Sequence, residues 1–280
     1  MGMLGVGCDC YLFLNGLVVS APIMLHDNAC LCPAKFVSKW DEITSLFKND
    51  IDFSMAILAH SSIGSQLHIT AGDSLELASC AWNAQWDCIL LSALFDHDII
   101  CNLQSDRPVE HLAEAKYVNV TNYAFHALLS TPYAMSATDE AWLVKHYASA
   151  HKLLENGAFS TAVHAMASYR WHSMPRIQLA IIWSGIESLF NVNSEVSFRI
   201  SLYLANFLGN DKTEARQLFA SVRKLYSARS SAVHGNSMKD DTASMVRESA
   251  ALLRRIIRHC AETDGLPNMD TLVFNDSPVS

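Results

Sequence analysis

At 280 residues, half of them apolar, the chain has enough material for one large or two ordinary domains around a sizeable core, which excludes an extended or disordered protein. Its formal net charge is −8, the wrong sign for a partner such as a nucleic acid, and its eight cysteines are scattered without the spacing of a disulfide framework. Asp9, Asn15, His26 and Asp27 interrupt the apolar N-terminus well short of the roughly 18 residues a membrane helix needs, and the first basic residue is Lys35; no membrane segment or secretory leader is expected, and the expected compartment is the cytoplasm.

Residues 1–125 carry short apolar runs in place of sustained helical periodicity: Tyr11 to Leu14, Gly16 to Val19, Phe53 to Leu58, Leu67 to Ile69, Cys88 to Leu94, Ile99 to Leu103 and Tyr117 to Val120. Turn-forming pairs such as Asn15-Gly16, Asp27-Asn28 and Ser105-Asp106 separate them. This predicts a β-rich domain with one helix near Val37 to Phe47, suited to a sensory or regulatory role. It contains no dinucleotide-binding glycine loop, P-loop, G-x-S-x-G elbow or H-E-x-x-H helix, so no cofactor is expected.

The pattern changes between Asn122 and Ala137, where Ser130, Thr131 and Pro132 read as a linker (126–137), and residues 138–265 read as a helical bundle, followed by a C-terminal tail (266–280). Thr138 caps a first helix holding Trp142, Tyr147, Ala150 and Leu154, and Ser160 opens a second that runs to about Trp171. Ser173 and Pro175 start a third, whose core stripe is Leu179, Ile182, Ile186 and Leu189 and whose other faces carry Trp183 and Glu187. A fourth, about Glu195 to Leu208, turns Val196, Ile200, Leu204 and Phe207 inward and stops at Gly209. Asp211 with Glu214 resembles a capping box opening the fifth, with Leu218, Val222 and Leu225 inward. The sixth follows Asp241 and uses Met245, Ser249, Leu252 and Ile256. The fold class is therefore α+β, a β-rich domain followed by an all-α bundle.

Split along the chain, the charge reads differently. From Lys212 to Cys260 there are ten Lys or Arg against four Asp or Glu, a local +6, leaving −14 for the remainder (−8 − 6). A polyanion would therefore find its footprint in this segment, with Arg223 and Lys224 as candidate contacts. Within it lies L-Y-S-A-R-S-S-A-V-H-G, Leu225 to Gly235, where Arg229 supplies a fixed cation and His234 a titratable imidazole, a pairing suited to a phosphodiester. Five helical residues amount to about 140° of rotation and 7.5 Å of rise, so on one continuous helix the two side chains point apart. The helix is expected to end between them, with Ser230 and Ser231 in a loosened last turn and Gly235 as the stop, or His234 serves a partner subunit.

Taken with I-I-W-S-G-I-E-S-L-F at Ile181 to Phe190 and the arginine of S-F-R-I-S-L-Y-L-A at Ser197 to Ala205, this motif resembles the HEPN superfamily, and most of all its Apea-like branch, found in bacterial anti-phage proteins; the resemblance covers about the last half of the chain. It implies a metal-independent endoribonuclease without cofactor, acting on RNA such as transfer RNA through the 2′-hydroxyl. It also implies a homodimer formed through the helical bundle, with the two motifs meeting across it, and an abortive-infection role released by a phage or cellular trigger sensed by the N-terminal domain. Arg229 and His234 are then the catalytic pair, supported by Glu187, Tyr226 and Ser230, with Arg199, Arg223 and Lys224 as RNA contacts.

Alternatives stay open at several of these positions. Glu187 orients Arg229 or His234, or is simply solvated; Arg199 widens the basic groove or pairs with Glu195; Tyr226 stacks on a base, fills a dimer seam or packs in the core. An inert HEPN bundle that only dimerises or binds RNA or a nucleotide is the alternative to the enzyme. The pattern departs from the family at Ser230, where an amide or acid is common, and at Asn236, where toxins controlled by nucleotidyltransferases carry a tyrosine. His146, His151, His164 and His172 do not align into a metal-ligand set, and no metal is expected in the bundle. Cys8 with Cys10 and Cys30 with Cys32 leave a four-thiolate zinc site as a further alternative to plain apolar packing.

Overall fold

The computed structural model describes residues 7–192, 194–233 and 242–274, the side chains of Leu129, Val233, Val273 and Phe274 excepted. The chain is α+β, an N-terminal antiparallel sheet of six strands followed by a helical C-terminal region. It divides into two compact units, Met1–Ala148 and Ser149–Ser280.

In the first unit, strands β1 (Asp9–Asn15), β3 (Ile23–His26), β4 (Ala29–Pro33), β5 (Ile63–Thr70), β6 (Ile100–Ser105) and β7 (Val118–Val120) form one sheet in the order β3-β4-β5-β1-β6-β7, while β2 (Leu17–Val18) pairs in parallel with β8 (Tyr133–Ala134). Helices α1 (Trp40–Ile43), α2 (Asp50–Ala59) and α3 (Ser74–Phe95) accompany them. The pleat divides the side chains. Phe13 and Leu103 join Ile43, Met55, Ala56 and Ala59 in a core under α1 and α2, and α3 packs on strands β5, β1 and β6. Gly16 sits at φ +90 with the Asp98 carbonyl oxygen 2.0 Å from where a Cβ would stand, so no other residue fits that corner.

The structure corrects several sequence expectations here. Phe53 to Leu58 and Cys88 to Leu94 are helical, lying in α2 and α3. From Leu90 to Phe95 every residue of α3 is buried, which erases the one-sided apolar stripe that marks a helix in sequence. The expected linker at 126–137 carries a 3-10 turn, His126–Leu129, and β8. The four cysteines cannot meet on one zinc ion. Register pairs Cys30 with His68 and His68 with Tyr11, placing Cys30 and Cys32 on one face, whereas Cys10 pairs with Ile69 on the opposite face. Burial pushes the Cys10 thiol up to about 11. On α3, Asp87 is buried, accepts the Tyr147 hydroxyl and faces His26 Nε2 at 3.3 Å.

Helix α4 (Ala137–Leu153) leads into the second unit, which contains α5 (Gly157–Ser168), α6 (Pro175–Phe190), α7 (Val196–Leu208), α8 (Lys212–Val233), α9 (Thr242–Thr263) and α10 (Met269–Phe274). α6 is the central element, packed against α5, α7, α8 and α9. Leu179, Ile182, Ile186 and Leu189 are buried as expected, and Trp183, expected on another face, is also fully buried because four helices surround α6. The expected C-terminal tail includes α10, tied to α7 by Asn206 Nδ2 donating to the Leu272 carbonyl at 2.8 Å. At Gly185 a Cβ would meet Ala165 Cβ at 2.8 Å and Ala162 Cα at 3.2 Å, so the missing side chain sets the α5–α6 approach. Gly185→Val is therefore expected to destabilise the protein by about 1–3 kcal/mol through overpacking, seen as a lower thermal midpoint. An unchanged midpoint would show that the two helices part without cost.

Candidate functional site

The site is assembled from three helices. α6 begins with Pro175 at its first turn and ends at Asn191 in the left-handed region (φ 40), which fixes the helix frame that carries Trp183 and Glu187 one turn apart. α8 begins where Asp211 Oδ1 accepts the Thr213 and Glu214 backbone N–H groups at 2.7 and 2.9 Å. Glu214 reaches back to the Asn210 N–H at 3.0 Å, one residue earlier than a strict capping box, and its other oxygen accepts from Arg255 Nη2 at 2.7 Å. These bonds, that of Asn210 first, hold the Glu214 carboxyl below its ordinary range.

At the far end of α8, Arg229 meets Glu187. Arg229 Nη2 donates to Glu187 Oε2 at 3.1 Å and lies 3.0 Å from Oε1, at an angle that makes the second contact Coulombic. The side chains of Arg229 and Glu187 are 22% and 29% exposed, so the pair is shielded without being sealed. Burial pushes the Glu187 carboxyl above its ordinary range, and the Arg229 guanidinium opposes that shift. Of the three roles open to Glu187, this geometry is the one that orients Arg229. Among the described residues, Arg229 Nε is out of solvent and without a hydrogen-bond partner, and so is Glu187 Oε1.

Tyr226, one turn earlier, lies under the guanidinium with Arg229 Cζ 5.6 Å from its ring centroid. Its ring meets Trp183 edge to face at 5.2 Å, and Trp183 Nε1 donates to Ser249 Oγ of α9 at 3.2 Å. Half-buried, Tyr226 links the core to the site, and burial raises its phenol above the ordinary range. The chain of contacts Ser249–Trp183–Tyr226–Arg229–Glu187 thus fixes the cation from α9 outward.

The remaining expected residues divide. Ser230 is half-buried in α8, and Ser231 is also helical, so the loosened turn expected at these two serines is absent and α8 is continuous to Val233. His234, Gly235 and Asn236 lie outside the described residues. Arg199 is exposed on α7 and pairs with Glu195 at 3.5 Å, the ion-pair alternative. Arg223 and Lys224 are both exposed, but as successive helical residues they point about 100° apart. Arg223 Cζ stands 5.8 Å from the Phe219 ring centroid, and Phe219 in turn meets Phe198 of α7 edge to face at 5.7 Å. Sequence reasoning misses this aromatic pair, although Phe198 precedes Arg199 and Phe219 lies one turn before Arg223. Of the histidines, His146 tilts against Trp142 at 5.3 Å, and burial lowers His164 below its ordinary range. Compared with protein-family models, with curated proteins and with solved structures, the chain matches none.

Proposed function

We propose that the chain is a metal-independent endoribonuclease of the HEPN type, in which Arg229 stabilises the phosphorane and His234 transfers the proton. The observation that supports this best is Arg229 itself. It is a permanently charged, partly shielded guanidinium, held by Glu187 and Tyr226 at the end of the most basic helix, with its Nε–H unpaired among the described residues. In the reaction a histidine takes the proton of the RNA 2′-hydroxyl, the freed oxygen attacks the adjacent phosphorus, and the bond to the 5′-oxygen breaks as that oxygen gains a proton. The products are a 2′,3′-cyclic phosphate and a 5′-hydroxyl end. Proton transfer supplies about 10²- to 10⁴-fold, and the guanidinium offsets charge that exists only in the transition state.

Because α8 stays helical through Val233, an imidazole reaches Arg229 only by a sharp turn after that residue or from a second copy of the chain. The reading therefore favours a homodimer with each site drawn from both copies. It also makes the protein a cytoplasmic abortive-infection effector, restrained until the N-terminal unit registers a phage or cellular trigger. The test is to incubate purified protein with total RNA in excess chelator and map the cleaved ends. Cyclic phosphate and 5′-hydroxyl ends are expected; 3′-hydroxyl ends, or cleavage that stops on chelation, would reject the mechanism.

A further inference from the structure

The α7–α8 surface carries a pattern that the catalytic pair does not use. Lys212, Arg216, Phe219, Arg223, Tyr226 and Ser230 follow one another at steps of four and three residues, which places all six on one stripe of α8. From Lys212 to Ser230 the stripe runs roughly 27 Å at 1.5 Å per residue and ends beside Arg229. Lys212, Arg216 and Arg223 are exposed, and among the described residues none of the three pairs with a carboxylate. The acids near them are engaged elsewhere: Asp211 caps α8, Glu214 is bonded to Asn210 and Arg255, and Glu195 faces Arg199.

Between these cations lie aromatic faces. Phe198 is 50% exposed although it belongs to a helix whose opposite side is core, and it leads through Phe219 to the Arg223 guanidinium in one series of contacts. Cations alone would accept any polyanion. An exposed ring, Phe198, backed by the half-buried Phe219 and set among cations suits a polyanion that offers flat apolar faces of its own, which means unpaired nucleotides, since a duplex hides its base faces.

We propose that this α7–α8 stripe is the binding track for single-stranded RNA, with Phe198 and Phe219 stacking on bases while Lys212, Arg216 and Arg223 hold phosphates and deliver the strand to Arg229. The track rests on the ribonuclease reading for what happens at its end, but its binding is measurable without cleavage. The experiment uses the full-length chain carrying His234→Ala and follows the anisotropy of a short, unstructured, labelled RNA over a range of salt concentrations.

Phe198→Ala is expected to weaken binding by about five- to a hundredfold, the loss typical of one stacked base, while leaving the salt dependence unchanged. Arg216→Gln with Arg223→Gln is expected to lower the slope of log affinity against log salt by about 0.7 for each phosphate that is no longer neutralised. A duplex of the same sequence is expected to bind more weakly than the single strand. Binding that Phe198→Ala leaves intact, a duplex bound as tightly, or a polyglutamate that displaces the RNA charge for charge would each overturn the track, the last in favour of an acidic protein partner. If the stripe binds as described but wild-type protein cuts nothing, the track stands and the ribonuclease reading fails. Cleavage by wild type with a Michaelis constant that ignores Phe198 fails the track alone.

Discussion

Cleavage by the Arg229→Ala protein is expected to fall by about 10²- to 10³-fold, the usual loss when one preorganised donor to a transition-state anion is removed. His234→Ala is expected to cost about 10²- to 10⁴-fold. Because the two act on one transition state, the double variant should be little worse than the poorer single one. The arginine variant should also lose stability. It leaves Glu187 partly buried without its cation, at a cost of about 1–2 kcal/mol, less than a fully buried pair because both side chains keep some solvent. The pH dependence follows from the sign of the shift. Burial already raises the Glu187 carboxyl, and loss of Arg229 removes the group that opposes the rise. The folded state then holds that proton more tightly than the unfolded chain. The deficit should be absent below the ordinary carboxylate value of about 4.3 and grow as the pH climbs through the raised one. Adding Glu187→Gln should restore stability without restoring cleavage. Mixing the Arg229→Ala and His234→Ala proteins separates the two geometries. If each site combines residues of two copies, the mixture regains part of the wild-type rate; no recovery after subunit exchange places both residues of a site on one chain.

How much of this is legible without coordinates depends on the element. Helices α7 and α9 are readable because each buries one stripe, through Ile200 and Leu204 or Leu252 and Ile256. α3 is not, because its second half is buried on all sides and a run such as Cys88 to Leu94 looks the same in a core strand and an enclosed helix. Glu187 and Arg229 are recognisable as chemistry, but their pairing is a tertiary fact, made by two residues 42 apart in sequence on different helices. The face assignment of the cysteines fails for a similar reason. Spacing puts Cys30 and Cys32 together, and their sulfurs are 3.6 Å apart, but only the register of β1 and β4 on either side of β5 shows that Cys10 looks the other way. The Phe198–Phe219 pair likewise joins two helices whose relative rotation no periodicity gives.

Trp183→Ala is expected to destabilise the protein by about 3–5 kcal/mol, the range for deleting a large aromatic from a packed core. The indole is the largest fully buried side chain among the described residues, and α6 is walled in by four helices, so the cavity has little chance to collapse. The loss also reaches the site by a definite route. Trp183 supports the Tyr226 ring, which lies under the Arg229 guanidinium, and its N–H satisfies the buried Ser249 hydroxyl. Trp183→Phe isolates that last bond. It keeps most of the packing against Tyr226 but removes the donor to Ser249, so it should cost about 1–2 kcal/mol, and much less when Ser249→Ala is added. If the core tryptophan acts on cleavage only by holding Tyr226 and Arg229 in place, Trp183→Phe should retain most of the wild-type rate at temperatures where it is folded. A fully folded Trp183→Phe protein that cuts as poorly as Arg229→Ala would instead mean that the indole takes part beyond its support of the ring.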